Sequence, residues 1–140
     1  MLEEDKNIPY GVSNEAHIMV MDDDPIIRRM IKDVLEHLGY HVVLASDGHQ
    51  AIDLYKEFLN SDASIDLVLM DLTIPCGMGG RVAIQEILKV DPEARVILTS
   101  GYSKDPAMSD YKDYGFKSSL KKPFKVPELK SLINTVLQSN

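Results

Sequence analysis

Short, wholly apolar runs alternate along this chain with stretches in which apolar residues recur every three or four positions. Ile18 to Met21, Val42 to Ala45, Leu67 to Met70 and Val96 to Thr99 are continuous runs without polar alternation, which predicts strands buried on both faces. A weaker fifth run lies at Ser118 to Lys121. Between the first two, Ile27, Met30, Ile31, Val34, Leu35 and Leu38 fall on one helical face that Gly39 terminates. Ile52, Tyr55, Phe58 and Leu59 mark a second helix, Val82, Ile84, Ile87 and Leu88 a third, and Leu129, Leu132, Ile133, Val136 and Leu137 a last. Asp105 to Tyr114 has few apolar anchors, but Pro106 suits a first helical turn, so a short, mobile helix is expected there. Regular strand and helix alternation predicts an α/β fold: a doubly wound, five-stranded parallel sheet with helices on both faces.

The length of 140 residues suits one domain with a sizeable core. Met1 to Asn14, with Pro9, Gly11 and several charges, reads as a lead or linker, which places the boundaries at 1–15 for the lead and 16–140 for the folded domain. Charge changes the picture further. Fifteen basic residues against 22 acidic ones leave a net −7, with the basic residues scattered, which argues against a nucleic-acid partner. The acidic, polar start is unlike a signal peptide, and no apolar run approaches the roughly 20 residues that span a bilayer, so no membrane contact by this chain is expected. Cys76 is the only cysteine, which excludes an internal disulfide and fits a reducing cytoplasm.

Candidate chemistry sits where the strands end. Asp22, Asp23 and Asp24 follow the first apolar run and Asp71 ends the third; in a parallel sheet the carboxyl ends of strands carry the ligand site, so these carboxylates converge. Crowded carboxylates repel unless a cation offsets them, for which Mg²⁺ and Lys122, held before Pro123, are the candidates. Asp24 is the exception: followed by Pro25, it reads better as a helix cap than as a ligand. Ser100, before Gly101, would bring a hydroxyl to the same edge, although a lone serine there is weak evidence. Gly77, Gly79 and Gly80 lack the Lys and Ser or Thr of a phosphate loop and read as a bend into a helix. His37 and His41 have metal-like spacing, but Gly39 and Tyr40 interrupt them, and Cys76 has no evident histidine partner.

Taken in order, IMVMDDDP, LVLMDLTIP, VILTSG and LKKPF resemble the receiver domain of two-component response regulators, over roughly residues 16 to 138. The resemblance implies the flavodoxin-like receiver fold and a non-enzymatic role as phosphoacceptor in a His-to-Asp phosphorelay, with a sensor histidine kinase or histidine phosphotransfer domain as partner. Carried onto this chain, it makes Asp71 the phosphoacceptor, Asp22 and Asp23 the acidic Mg²⁺ pair, Thr73 a metal ligand through its backbone carbonyl, Ser100 the hydroxyl switch residue and Lys122 the phosphoryl-contacting lysine. The loop DLTIPCGMGG, Asp71 to Gly80, is one residue longer than usual, a form similar to receivers attached to hybrid histidine kinases. Residues 1–15 would be a linker in that setting. Receivers often carry an aromatic three residues before the lysine; Ser119 stands there, so a switch is expected to run through Ser100 to Tyr102 instead, with Ser119 a bystander. Three alternatives remain. A haloacid dehalogenase-like aspartyl phosphatase would need a second acid where Thr73 stands. A flavodoxin-like FMN carrier would have its phosphate repelled by Asp22 to Asp24, and a docking pseudo-receiver would not need all five site residues.

Overall fold

The computed structural model describes residues 16–72, 74, 77–101 and 104–138. Strands β1 (His17–Met21), β2 (His41–Ala45), β3 (Leu67–Asp71), β4 (Val96–Ser100) and β5 (Ser118–Lys121) alternate with helices α1 (Pro25–His37), α2 (Gly48–Leu59), α3 (Gly80–Val90), α4 (Pro106–Ser109) and α5 (Val126–Gln138). All pairings are parallel and the order is β2-β1-β3-β4-β5, so the chain winds outward from β1 in both directions, as the alternation predicts.

Successive residues of a strand point to opposite faces, and the core divides accordingly. Ile18, Val20, Leu67, Leu69 and Ile97 pack with Ile31 and Leu35 of α1 and Leu129, Ile133 and Val136 of α5. Met19, Met21, Val68, Met70, Val96 and Leu98 pack on the other face with Ile52 and Tyr55 of α2 and Ala83, Ile84 and Ile87 of α3. β3 and β4 are buried along their whole length, which is why their sequences show no polar alternation. Two expected core positions fall outside it. Val82, 50% exposed, lies two residues before Ile84 and so about 160° around the helix from it. Met30, 61% exposed, precedes the buried Ile31 and sits on the margin of the α1 face.

Caps fix the helix starts. Asp24 is the N-cap of α1, accepting from the amides of Ile26 (2.9 Å) and Ile27 (3.4 Å), with Pro25 in the first turn. Asp47 caps α2 and Asp105 caps α4. The weakly patterned region after Ser100 does contain the short helix α4, followed by a 3₁₀ turn at Tyr111–Tyr114. Gly115 ends that turn at φ 98°, and an added Cβ would lie 2.5 Å from Leu88 Cδ1. Gly115→Ala therefore combines left-handed strain with a clash, and urea unfolding should show a loss of about 1–3 kcal/mol. An unchanged midpoint would contradict this account of the α3 to β5 packing.

Candidate functional site

β1 and β3 are neighbours at the centre of the sheet, so the residues that end them meet at one edge. Asp22 follows β1 and Asp71 is the last residue of β3; both are buried, at 2% and 6% exposure. Asp23 is exposed beside them, and one carboxylate oxygen from each of Asp22, Asp23 and Asp71 lies within 4.8 Å of the others. Asp24, by contrast, is spent on its cap, as its sequence context predicts.

Lys122 enters from the end of β5. Its Nζ donates to Asp22 Oδ2 at 2.9 Å and stands 3.4 Å from Asp71 Oδ2, bridging the two buried carboxylates. Its amide donates to Ser100 O (2.8 Å), and the Lys122–Pro123 peptide bond is cis. The neighbouring Lys121 is exposed, as expected for a solvated lysine. Asp22 is held from the other side: its Oδ1 accepts from the amide of Asp24 (2.9 Å) and its carbonyl accepts from Arg28 Nη1 (2.7 Å). Ser100 closes β4, buried and one position beyond Thr99, the register partner of Asp71. The sequence-derived residues Asp22, Asp23, Asp71, Ser100 and Lys122 are thus brought to one sheet edge. Thr73, Cys76 and Tyr102 lie outside the described residues.

The glycines expected to form a bend do so. Gly79 is the N-cap position of α3 and Gly80 its first residue; Gly80 N donates to Leu72 O (3.0 Å), and a Cβ on Gly80 would sit 2.8 Å from Asp71 O. A side chain at Gly79 would collide with Leu72 O. The helix thereby begins directly against the backbone of Asp71, an approach only glycine permits. His41 is not a metal partner of His37; it stacks on His17, its register partner in β1, at 4.8 Å between ring centroids. Ser119 has a tie that the sequence does not show. Its hydroxyl donates to Met108 O at 2.8 Å, tying β5 to α4, a contact between residues eleven apart that one-dimensional pattern does not reveal.

Electrostatics follow from this crowding. Burial pushes the Asp71 carboxyl up to about 6; Lys122 opposes the rise, while Asp22 and Asp23 add to it. Burial also disfavours the charged form of Lys122, but its hydrogen bond to Asp22 and its attraction to Asp71 and Asp22 outweigh that and hold it above the usual lysine range. Three carboxylates facing one ammonium leave an excess of negative charge suited to a divalent cation bound through oxygen. Because folding raises the Asp71 pKa, the native state holds that proton more tightly than the unfolded chain. Stability is therefore lost as pH rises through the window from 3.8 to about 6. In chelator, Asp71→Asn should melt above the parent at pH ~8, with the gap closing toward pH ~3, below both the unfolded and the folded pKa of Asp71. A gap of equal size at both pH values would contradict the linkage.

Comparison with known proteins agrees with this geometry. The sequence profile described as the response regulator receiver domain matches residues 18–134. The chemotaxis protein CheY of Bacillus subtilis is 39% identical over 124 residues, covering 87% of this chain and 98% of that protein. Among solved structures, the response regulator TrrA of Thermotoga maritima, in complex with Mg²⁺ and BeF, superposes with a TM-score of 0.73 at 31% identity, covering 86% of this chain and 98% of the other. The receiver domain of a sensor histidine kinase from Pseudomonas aeruginosa, with magnesium coordinated in its cleft, gives a TM-score of 0.77 at 26% identity over 89% of this chain and 99% of the other. The chain belongs to the response regulator receiver domain family, whose CheY-type members are phosphorylation switches of two-component signalling rather than enzymes.

Proposed function

We propose that residues 16–140 form a receiver whose phosphoacceptor is Asp71, taking a phosphoryl group from the phosphohistidine of a sensor kinase or phosphotransfer domain in the cytoplasm. The observation that carries this reading is the buried Asp71 carboxylate standing 3.4 Å from Lys122 Nζ beside the acidic pair Asp22 and Asp23. An Asp71 oxygen attacks phosphorus, the bond from phosphorus to the imidazole nitrogen breaks, and its electron pair leaves with the histidine. Lys122 neutralises charge on the transferring oxygens, and Ser100 offers a hydroxyl to one of them. Asp22, Asp23 and Asp71 would hold Mg²⁺, with the Thr73 carbonyl as a further ligand; the ion supplies the remaining positive charge. Little of this is bond-making by the protein; it is positioning.

The donor's surface is suggested by the rim of the site. Ile26, Met30 and Val126 are exposed, at 71%, 61% and 45%, although all three are large apolar residues. Met30 lines an apolar groove with Ile27, Ile31, Pro123 and Phe124 that runs up to Lys122 itself. A phosphohistidine must come within bonding range of Asp71, so its protein covers this rim, and burying an apolar strip there stabilises the encounter. Sensor kinases and phosphotransfer domains fit as partners on that ground.

Incubation with acetyl phosphate and Mg²⁺ should add one phosphoryl group at Asp71, read as an intact-mass shift that hydroxylamine removes. Asp71→Asn should abolish it; undiminished labelling of that variant would sink the assignment, and continuous turnover would indicate a phosphatase instead. Chelation should also abolish labelling, and Asp23→Ala should weaken Mg²⁺ binding far more than Asp24→Ala, since Asp24 is committed to its cap. Met30→Glu should slow labelling by a phosphorylated histidine phosphotransfer domain by about tenfold or more, yet leave labelling by acetyl phosphate at the parent rate. Equal slowing with both donors would remove the rim from the account.

A further inference from the structure

Asp23 is the exposed member of the carboxylate cluster, and among the described residues no hydrogen bond or ion pair holds its side chain. Its aim toward Asp22 and Asp71 therefore depends on its backbone, which lies in the turn between β1 and α1. Both peptide groups that flank it are held. On one side, Arg28 of α1 donates from Nη1 to the carbonyl of Asp22 at 2.7 Å. On the other, the amide of Asp24 donates to Asp22 Oδ1 at 2.9 Å. The amide of Arg28 in turn donates to Asp24 O at 2.9 Å, so three hydrogen bonds close a circuit through Asp22, Asp24 and Arg28 that spans Asp23.

Most side-chain hydrogen bonds go to backbone or water, and many do no more than hold a turn. Two observations set Arg28 apart. A cation near the N-terminus of a helix opposes the helix dipole, yet Arg28 stands at the end of the first turn of α1, half-buried and with no carboxylate partner among the described residues. The next residue, Arg29, makes an ordinary exposed pair with Asp33 at 3.7 Å. The second observation concerns Asp22. Its amide donates to Ala45 O at 3.1 Å and its Oδ2 accepts from Lys122, so the strand side of the turn is already fixed. The peptide between Asp22 and Asp23 is the first beyond the strand that could rotate, and Arg28 is the side chain that stops it.

We propose that Arg28 is a positioning residue for the divalent cation: by pinning the carbonyl of Asp22 it fixes the peptide that precedes Asp23, so that both carboxylates face Asp71 before the ion arrives. Groups that orient metal ligands without touching the metal lower the ordering cost of binding. Mg²⁺ demands near-ideal octahedral geometry, which makes it sensitive to a displaced ligand. Charge acts in the opposite direction. A guanidinium repels a divalent cation, so charge alone predicts tighter binding once Arg28 is removed, whereas positioning predicts weaker binding. The inference rests on Asp22, Asp23 and Asp71 as the Mg²⁺ ligands proposed above.

The test titrates the full chain with Mg²⁺ alone, without a phosphodonor, follows amide chemical shifts, and compares the parent with Arg28→Met, Arg28→Lys and Asp23→Ala. Arg28→Met, which keeps the apolar stem and loses the donor, should bind Mg²⁺ about tenfold more weakly than the parent. Arg28→Lys keeps a long side chain with an N–H donor, and the contact uses a single donor, so it should recover most of that loss. A purely structural role predicts a lower urea midpoint for Arg28→Met with Mg²⁺ affinity unchanged, and that result overturns the proposal. So does tighter binding by Arg28→Met, which would mean that charge alone governs, or failure of Arg28→Lys to recover. If Asp23→Ala binds Mg²⁺ as the parent does, the metal assignment falls first and this inference falls with it.

Discussion

The contact on which the rest of this structure depends is the ammonium of Lys122 between the carboxylates of Asp22 and Asp71. Two buried acids at the same sheet edge repel each other, and burial opposes the ionisation of Asp71. One lysine reduces that penalty without removing it, as the elevated pKa of Asp71 records. The three carboxylates thus carry more negative charge than one lysine offsets, which suits a divalent cation. The fold's packing elsewhere makes this crowding tolerable.

Several features serve to hold it. The central strands β1, β3 and β4 end in Met21, Asp71 and Ser100, all buried, and their parallel register sets how far each terminal side chain projects. Arg28 ties the carbonyl of Asp22 from α1, and the amide of Asp24 holds its carboxylate. Gly79 and Gly80 allow α3 to start against the Asp71 backbone, where any side chain would force the two apart. On the far side, the Arg81 to Asp105 pair and the Ser119 to Met108 bond join α3, α4 and β5 into one frame. That frame has no large ring at position 119 to bury, so polar contacts take the place that an aromatic would fill.

Helix α1 carries large apolar residues both inside and outside the core. One face of α1 buries Ile31 and Leu35 in the core, while Ile26 and Met30 remain exposed beside the site. Periodicity alone groups Met30 with the core face, because a residue on the margin of an apolar stripe differs little in sequence from one at its centre.

What the sequence by itself determined is the alternation of buried strands and amphipathic helices, the cap at Asp24, a helix start at Pro106, and the convergence of Asp22, Asp23, Asp71, Ser100 and Lys122. These follow from local chemistry: short apolar runs without alternation, set between amphipathic helices, suit strands buried on both faces, and residues at strand ends in such a sheet share an edge. Tertiary structure decided which of the apolar residues are inside, as Met30 and Val82 illustrate. It also decided which polar residues meet across long stretches of chain. Arg81 and Asp105 are 24 residues apart and Ser119 and Met108 eleven, and nothing in the spacing of an arginine, an aspartate or a serine marks such a pair. Their contacts exist because α3, α4 and β5 pack on a common core, and only that packing brings the donors and acceptors within reach.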